Sequence, residues 1–263
     1  MLNSDAINRK RCTIAPLPTP FEENTMAITL HHAQTVPEGD GVTVNRLMPV
    51  QGRANFDPFV LWDHFDIGSG GFPDHPHRGF EGITYLFSGG MNHTDNLGNR
   101  GRIGAGGVQR FTAGRGIIHS EFPDGRTAGI QLWVNLPQRL KGIAPDYQQL
   151  EANDLPQHQH GKSTICTIIG KDSPLQLQSS VCYQDISLCG SYALSIPDGW
   201  RGLLYVVEGE ATINGSPPCP SATAAFIEHE TILSLNSDAG ARVMACFGQP
   251  HHEPIRQHGS FVD

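Results

Sequence analysis

Two histidines separated by a single proline are the feature of this sequence best suited to chemistry. They lie in the segment Asp74-His75-Pro76-His77. Residues i and i+2 of an extended strand point to the same face, so the spacing predicts that both imidazoles lie together. Pro76 favours that geometry, because its ring fixes its own φ and biases the preceding residue away from a helical conformation.

A second pair with the same spacing follows at His119 and Glu121, where His119 lies 42 residues beyond His77. If both segments are strands that face one barrel interior, three imidazoles and one carboxylate converge there. A nitrogen and oxygen ligand set without thiolates suits Fe, Mn, Ni, Cu or Zn, and it does not suit a structural zinc site built from cysteines. Four such ligands would leave two positions of a six-coordinate metal open for water, O₂ or substrate.

A chance origin of these pairs is the competing interpretation. The chain contains 13 histidines, so some will lie close together by accident, and the His75-Pro76-His77 segment next to Glu81 could equally form a polar turn. The metal interpretation is favoured because two pairs with identical spacing each lie beside a glycine-rich, strand-like segment.

The backbone composition predicts what kind of fold must position these side chains. Among 263 residues there are 30 glycines and 19 prolines. Helix bundles, coiled coils and helical repeats need longer runs without these two residue types, so those classes are excluded. Short strands joined by many turns remain, and the sequence predicts an all-β sandwich or barrel.

Charge and cysteine content restrict the partners and the compartment. The formal net charge of −8 argues against direct nucleic-acid binding and leaves a protein partner possible. No segment has the apolar length of a membrane span, and no signal peptide is predicted. The six cysteines are scattered without a Cys-x-x-Cys pair, which favours a reducing compartment and predicts a cytoplasmic location, or also a nuclear one in a eukaryote.

The chain is predicted to contain two β units. Residues 1–25 are interpreted as a flexible extension with Met26 as an alternative start, residues 26–136 as the metal-binding unit, residues 137–160 as a linker and residues 161–263 as a second unit. The segments that begin at Tyr85 and Tyr205 both end in a glycine turn and indicate an internal repeat. Aligning the repeats places no ligand-type residue opposite the four candidates, so the second unit is predicted to be metal-free.

At these residues the chain resembles the pirins, a family of the cupin superfamily. The resemblance extends from about residue 39 to the C-terminus. It implies a bicupin, in which two antiparallel β-sandwich or jelly-roll barrels pack together in one chain and the N-terminal barrel holds one metal. It rests on four segments in the first half, in the order Asp57-Pro-Phe-Val-Leu-Trp-Asp-His-Phe, Phe72-Pro-Asp-His-Pro-His-Arg-Gly-Phe-Glu, Thr112-Ala-Gly-Arg-Gly-Ile-Ile-His-Ser-Glu and Gly129-Ile-Gln-Leu-Trp-Val-Asn-Leu-Pro. Near the C-terminus it rests on Gly248-Gln-Pro, Glu253-Pro-Ile and Gln257-His-Gly-Ser-Phe-Val.

The resemblance also implies roles for individual residues. The metal ion would be Fe(II) first, with Mn, Ni, Cu or Zn as alternatives, and Glu121 would be both a ligand and the candidate general base. The metal ligands implied are His75, His77, His119 and Glu121. Candidates for the pocket wall or for support of the ligands are His64, Arg78, Glu81 and Trp133.

The activity that the resemblance implies is that of a quercetin 2,3-dioxygenase, which opens the central ring of a flavonol with O₂ and releases CO. The alternative is a redox-sensing regulatory protein, either a transcriptional co-regulator or a modulator of a metabolic enzyme, that binds a protein partner without physiological turnover. A third interpretation is a metal-binding cupin that acts on a different small molecule.

Overall fold

The structure is a computed structural model that describes residues 28–263. The predicted extension at residues 1–25 and the alternative start at Met26 lie outside the described residues. Within residues 28–263 the regular structure is β-strand, apart from the two short 3₁₀ helices Gln138–Leu140 and Ala152–Asp154. The prediction of an all-β chain is therefore confirmed, and none of the described helices is long and apolar enough to cross a membrane.

The strands fall into an earlier and a later group along the chain. The earlier strands are β1 (Leu30–His32), β2 (Gln34–Glu38), β3 (Val42–Met48), β4 (Phe59–Ile67), β5 (Phe72–His77), β6 (Phe80–Ser88), β7 (Gly90–Asp95), β8 (Arg100–Gly104), β9 (Val108–Thr112), β10 (Ile117–Pro123) and β11 (Thr127–Asn135). The later strands are β12 (Asp146–Leu150), β13 (Gln157–His160), β14 (Ser163–Ile169), β15 (Val181–Ser195), β16 (Arg201–Ile213), β17 (Cys219–Pro220), β18 (Thr223–Ile227), β19 (Ile232–Gly248), β20 (Gln257–His258) and β21 (Phe261–Val262).

Two sheets form the first barrel, and one large sheet forms most of the second. The first barrel combines a sheet of order β12-β9-β6-β11-β4-β3-β2 with a sheet of order β5-β10-β7-β8. The second barrel has the order β1-β18-β16-β19-β15-β14-β13, with β17 paired to β16. Its longest strands contain register shifts, as between Leu188 and Gly190 in β15, and such bulges bend a strand and increase its twist.

The predicted internal repeat corresponds to equivalent places in the two sheets. Strand β6, which contains Tyr85, lies between β9 and β11, and strand β16, which contains Tyr205, lies between β18 and β19. The turn glycines of the repeat, Gly89 and Gly209, both have a φ of 74°. A Cβ at either position would lie within 2.5 Å of a backbone oxygen, so only glycine fits these turns.

The two barrels share strands across the predicted boundaries. Strand β1 pairs with β18 in the second sheet, and β12 pairs with β9 in the first sheet although it lies within residues 137–160. The boundaries near residues 26, 137 and 161 therefore remain predictions from the sequence. In the structure, each of the two large sheets includes a strand from outside its predicted unit.

The central sheet of the first barrel separates a cavity from the second barrel. Strands β4, β6 and β11 alternate their side chains between these two sides, and both sides are buried. The side that faces the second barrel contributes to the largest apolar cluster of the described residues, in which residues from both barrels meet, including Trp62, Tyr85, Tyr183 and Tyr205.

Gly82, in the middle of β6, leaves space for an aromatic ring beside the candidate ligands. A Cβ there would lie 2.3 Å from Cζ of Phe111, whose ring is 1% exposed and stacks on His77 with 5.3 Å between ring centroids. We expect Gly82→Ala to lower the free energy of unfolding by about 1–3 kcal/mol, because a fully enclosed ring cannot move aside without strain.

The matched control is Gly142→Ala, at an exposed glycine where an added Cβ meets nothing within 4 Å. We expect its effect to stay within about 1 kcal/mol. Urea unfolding of both variants measures the difference, and equal midpoints would contradict the packing argument.

Candidate metal centre

The pairing of β5 with β10 brings the two predicted histidine segments together. His119 lies directly opposite His75 in the antiparallel register, and Nε2 of one ring lies 3.1 Å from Nε2 of the other. His77 completes a group of three imidazoles in which one ligand nitrogen of each ring lies within 4.8 Å of the others. The predicted convergence of these three side chains on one interior face is what the structure shows.

Backbone carbonyls set the protonation of two of these rings. Nδ1 of His75 lies 2.7 Å from the Pro73 oxygen, and Nδ1 of His77 lies 3.4 Å from the Ser260 oxygen. A carbonyl oxygen only accepts hydrogen bonds, so each ring carries a proton on Nδ1, and in the tautomer with that single proton Nε2 is a lone pair. Burial lowers the pKa of His77 to about 3 and that of His119 well below its usual value, so both rings are neutral.

This donor set fits a metal ion. Two nitrogen ligands that are each about 2.1 Å from a metal and subtend a right angle at it lie about 3.0 Å apart. His75 and His119 match that spacing, with 3.1 Å between their Nε2 atoms. Neutral imidazoles without thiolates suit Fe, Mn, Ni, Cu or Zn, so the residues present fit the group that the sequence predicted.

Glu121 follows His119 after a register shift in β10 and lies opposite His93 of β7. Its Oε1 accepts hydrogen bonds from Oγ1 of Thr84, at 2.9 Å, and from Nε2 of Gln109. Glu121, His93 and His119 form a second buried group whose ligand atoms lie within 4.8 Å of one another. The fourth predicted residue thus reaches the site, together with a histidine that the sequence analysis missed.

A cavity of about 1150 Å³ is lined by three of the candidate ligands, His75, His77 and Glu121. Its walls combine apolar and polar groups, including Leu61, Phe65, Phe72, Met91, Arg46, Asp63, Gln131 and Trp133. Arg46 pairs with Asp63 at 2.6 Å, and burial raises the pKa of Asp63 although the ion pair opposes that shift. The site is therefore an open pocket with a chemically mixed wall, as ligand pockets usually are.

Trp133 is the one additional candidate that the structure brings to the imidazole cluster. Its ring centroid lies 5.0 Å from that of His77, and the indole stacks on Phe80 with 4.1 Å between centroids. Trp133 also lines the cavity. It forms a wall that holds the His77 ring in place.

His64 and Glu81 lie on the other side of the central sheet. Nδ1 of His64 lies 3.1 Å from the hydroxyl oxygen of Tyr205, so His64 belongs to the contact between the barrels. The Glu81 carboxylate accepts hydrogen bonds from Oγ1 of Thr112 and from the backbone N–H of Gln178, both at 2.8 Å. The structure does not bring these two candidates to the imidazoles.

The C-terminal segment, residues 255–263, crosses from the second barrel back onto the first. Residues Ile255 to Ser260 line the cavity. Arg78, the remaining candidate, is exposed and pairs with Asp263 of this segment at 2.8 Å.

Nζ of Lys141 donates to three oxygens, those of Gly79, Asn135 and Val262, at 2.8–2.9 Å. Burial lowers the pKa of Lys141 to about 8, which leaves it charged at neutral pH with three protons for three acceptors.

We expect Lys141→Met to loosen the C-terminal segment, because the variant loses all three charge-assisted hydrogen bonds. Amide exchange at Val262, which donates to the Arg78 oxygen, should accelerate at least about tenfold, since one such bond contributes about 1.5–3 kcal/mol. Arg78→Ala removes an exposed ion pair and a cation–π contact with Phe261, 5.1 Å from the ring centroid, and should accelerate exchange less than Lys141→Met does. Hydrogen–deuterium exchange of the peptide that contains Val262 measures the rate in both variants. Unchanged protection of that peptide in Lys141→Met would contradict this account.

Comparisons with known proteins agree with this architecture. The pirin family model matches residues 41–134, and the model of the pirin C-terminal cupin domain matches residues 184–263. A Pseudomonas aeruginosa protein, provisionally named a quercetin 2,3-dioxygenase, is 42% identical over 89% of this chain and 90% of its own length. The pirin of Homo sapiens is 36% identical over 86% of this chain and 83% of its own length.

Solved structures show the same fold. A crystal structure of quercetin 2,3-dioxygenase from Acinetobacter baumannii has a TM-score of 0.83 at 30% identity and covers 90% of this chain and 91% of its own. The Escherichia coli pirin YhhW, solved in complex with nickel(II), has a TM-score of 0.70 at 23% identity and covers 85% of this chain and 99% of its own. The predicted bicupin is confirmed, and the chain belongs to the pirin family.

Proposed function

We propose that this chain is a metal-dependent oxygenase of the quercetin 2,3-dioxygenase type, with one divalent metal ion, Fe(II) first, in the first barrel. The observation that carries the proposal is the pair of Nε2 atoms of His75 and His119, 3.1 Å apart, beside a cavity that His75, His77 and Glu121 line. The proposed ligands are His75, His77, His119 and Glu121. The relatives named for quercetin 2,3-dioxygenase activity support the substrate class.

The chain's own residues prepare the site before any substrate binds. The carbonyls of Pro73 and Ser260 accept from Nδ1 of His75 and His77, which orients the two rings and leaves Nε2 of each available as a ligand atom. When bound there, the metal supplies positive charge that lowers the pKa of a hydroxyl group beside it. Trp133 and Phe111 enclose His77 from two directions, which excludes water from that side.

Glu121 is the proposed general base for the 3-hydroxyl of the flavonol. Its Oε1 is held by Thr84 and Gln109, while among the described residues no group donates to its Oε2. That oxygen is available to coordinate or to accept a proton, and Glu121 lines the cavity. Positioned proton transfer of this kind contributes about 10²–10⁴-fold to a rate.

The cavity wall suits a flat aromatic molecule that carries hydroxyl groups. Phe72, Leu61 and Met91 offer apolar contact. Arg46 and Asp63, which form an ion pair in the same wall, offer a donor and an acceptor for hydroxyls.

We place the reaction in the cytoplasm, because the five cysteines within residues 28–263 are free thiols.

Removing a ligand should remove the metal. We expect wild-type protein to bind Fe(II) or Zn(II) at about one ion per chain, and His119→Ala or Glu121→Ala to retain only a small fraction of it. His158→Ala, at an exposed histidine of β13, is the control and should bind like wild type. Metal analysis after gel filtration measures the stoichiometry. Full retention of metal in both ligand variants would refute the ligand assignment.

Turnover tests the substrate class separately. Quercetin is added anaerobically to iron-loaded protein, O₂ is then admitted, and CO is measured; we expect about one CO for each flavonol consumed. Glu121→Gln, assayed at equal bound metal, should be at least about 100-fold slower if Glu121 is the base. Absence of CO with Fe, Mn, Ni and Cu would refute flavonol cleavage and leave the metal site standing.

A further inference from the structure

A buried histidine and aspartate on β7 lie directly behind His119. In the register of β10 with β7, Asp95 is the partner of His119 and His93 is the partner of Glu121. His93 is 1% exposed and Asp95 is 8% exposed. The two residues are spaced i, i+2, so both side chains point into the barrel, as the ligands do.

Asp95 is held as an ionised carboxylate by several donors. Its Oδ1 accepts from the backbone N–H groups of Leu97 and Asn99, both at 2.9 Å. Its Oδ2 accepts from Nδ2 of Asn99 at 2.8 Å and from Nε2 of His93 at 3.2 Å. Burial alone would raise the pKa of Asp95, but the hydrogen bonds from Asn99, His93 and Leu97 outweigh it and hold the pKa below its usual value.

The carboxylate decides which nitrogen of His93 carries the proton. An ionised carboxylate only accepts, so Nε2 of His93 carries a proton, and in the tautomer with that single proton Nδ1 is a lone pair. That Nδ1 faces Nδ1 of His119 at 3.5 Å. The His93 ring cannot turn freely, because it stacks on Tyr147 with 4.2 Å between ring centroids and 17° between planes.

The proton position on His93 in turn decides which nitrogen of His119 carries a proton. With a lone pair of His93 facing it, Nδ1 of His119 must carry a proton, since two facing lone pairs would repel each other. Nε2 of His119 is then unprotonated and points at Nε2 of His75, whose own proton is on Nδ1. In the tautomer with its single proton on Nδ1, His75 also presents a lone pair, and two lone pairs 3.1 Å apart repel each other unless a cation lies between them.

We propose that Asp95 and His93 are positioning residues that fix the tautomer of His119 and aim its Nε2 at the metal. Metal-binding histidines commonly donate their second N–H to a carboxylate or a carbonyl, which raises ligand basicity. Here the acceptor is a second imidazole, itself oriented by a carboxylate. The inference rests on the proposed metal site and is independent of which substrate is oxidised.

The decisive variant is Asp95→Asn. Its Oδ1 can still accept from Leu97 and Asn99, so the turn after β7 is kept. Its Nδ2 donates where Oδ2 accepted, which forces the proton of His93 onto Nδ1 and opposes the required tautomer of His119. We expect the Zn(II) dissociation constant to rise about 10–100-fold.

Three further variants separate positioning from stability. His93→Leu removes the acceptor and should weaken Zn(II) binding about as much as Asp95→Asn. His93→Asn retains an acceptor near the position of Nδ1 and should restore most of the affinity. Asn99→Ala removes a donor to the same Asp95 oxygen but leaves the contact with His93, and should bind Zn(II) within about threefold of wild type. Thermal unfolding of each metal-free variant reports any loss of stability.

A spectroscopic measurement observes the tautomers directly. Zn(II) is diamagnetic, so ¹H–¹⁵N correlation spectra of the imidazoles in the Zn(II)-loaded protein identify the protonated nitrogen of each ring. We expect a proton on Nδ1 of His119 and on Nε2 of His93. A proton on Nδ1 of His93, or wild-type Zn(II) affinity in Asp95→Asn, would overturn this inference while leaving the metal site intact. Failure of the wild type to bind Zn(II) would overturn both, and absence of flavonol turnover would affect neither.

Discussion

The 3.1 Å approach of two imidazole nitrogens, Nε2 of His75 and Nε2 of His119, is the constraint on which the rest of the structure depends. Neutral lone pairs 3.1 Å apart repel, so the protein must hold them there. The paired strands β5 and β10 hold the backbones, and an acceptor behind each ring holds its orientation. The acceptors come from three different elements: the Pro73 carbonyl, the Ser260 carbonyl and His93. Such a preorganised cluster favours a cation over solvent.

The second barrel contributes more than a packing surface. Its C-terminal segment supplies the Ser260 carbonyl that orients His77, and residues of that segment form part of the cavity wall. Lys141 ties the segment to the first barrel through Gly79 and Val262. Both groups of described residues that could hold a metal lie in the first barrel, so the two halves of the repeat have diverged in role. One half carries the candidate ligands, and the other helps to orient them.

Strand alternation explains which candidates could be predicted and which could not. The approach of His75, His77 and His119 could be predicted because the i, i+2 spacing specifies a shared face. Trp133 was expected near the site and lies there. The same spacing argument applies to His93 and Asp95, which lie between Gly89-Gly90 and Gly98. His64 could not be placed from sequence, because both faces of β4 are buried and hydropathy does not show which face lines the cavity.

The sequence by itself determined the all-β class, the family, the internal repeat and the convergence of three imidazoles, because these follow from local rules: glycine and proline interrupt helices, and side chains alternate along a strand. Only the tertiary structure decided what lies behind each ligand. The Ser260 carbonyl is 183 residues from His77, and β12 joins the first sheet from within the predicted linker. Contacts of that kind depend on how the two barrels close on each other, and no local spacing in the sequence specifies them.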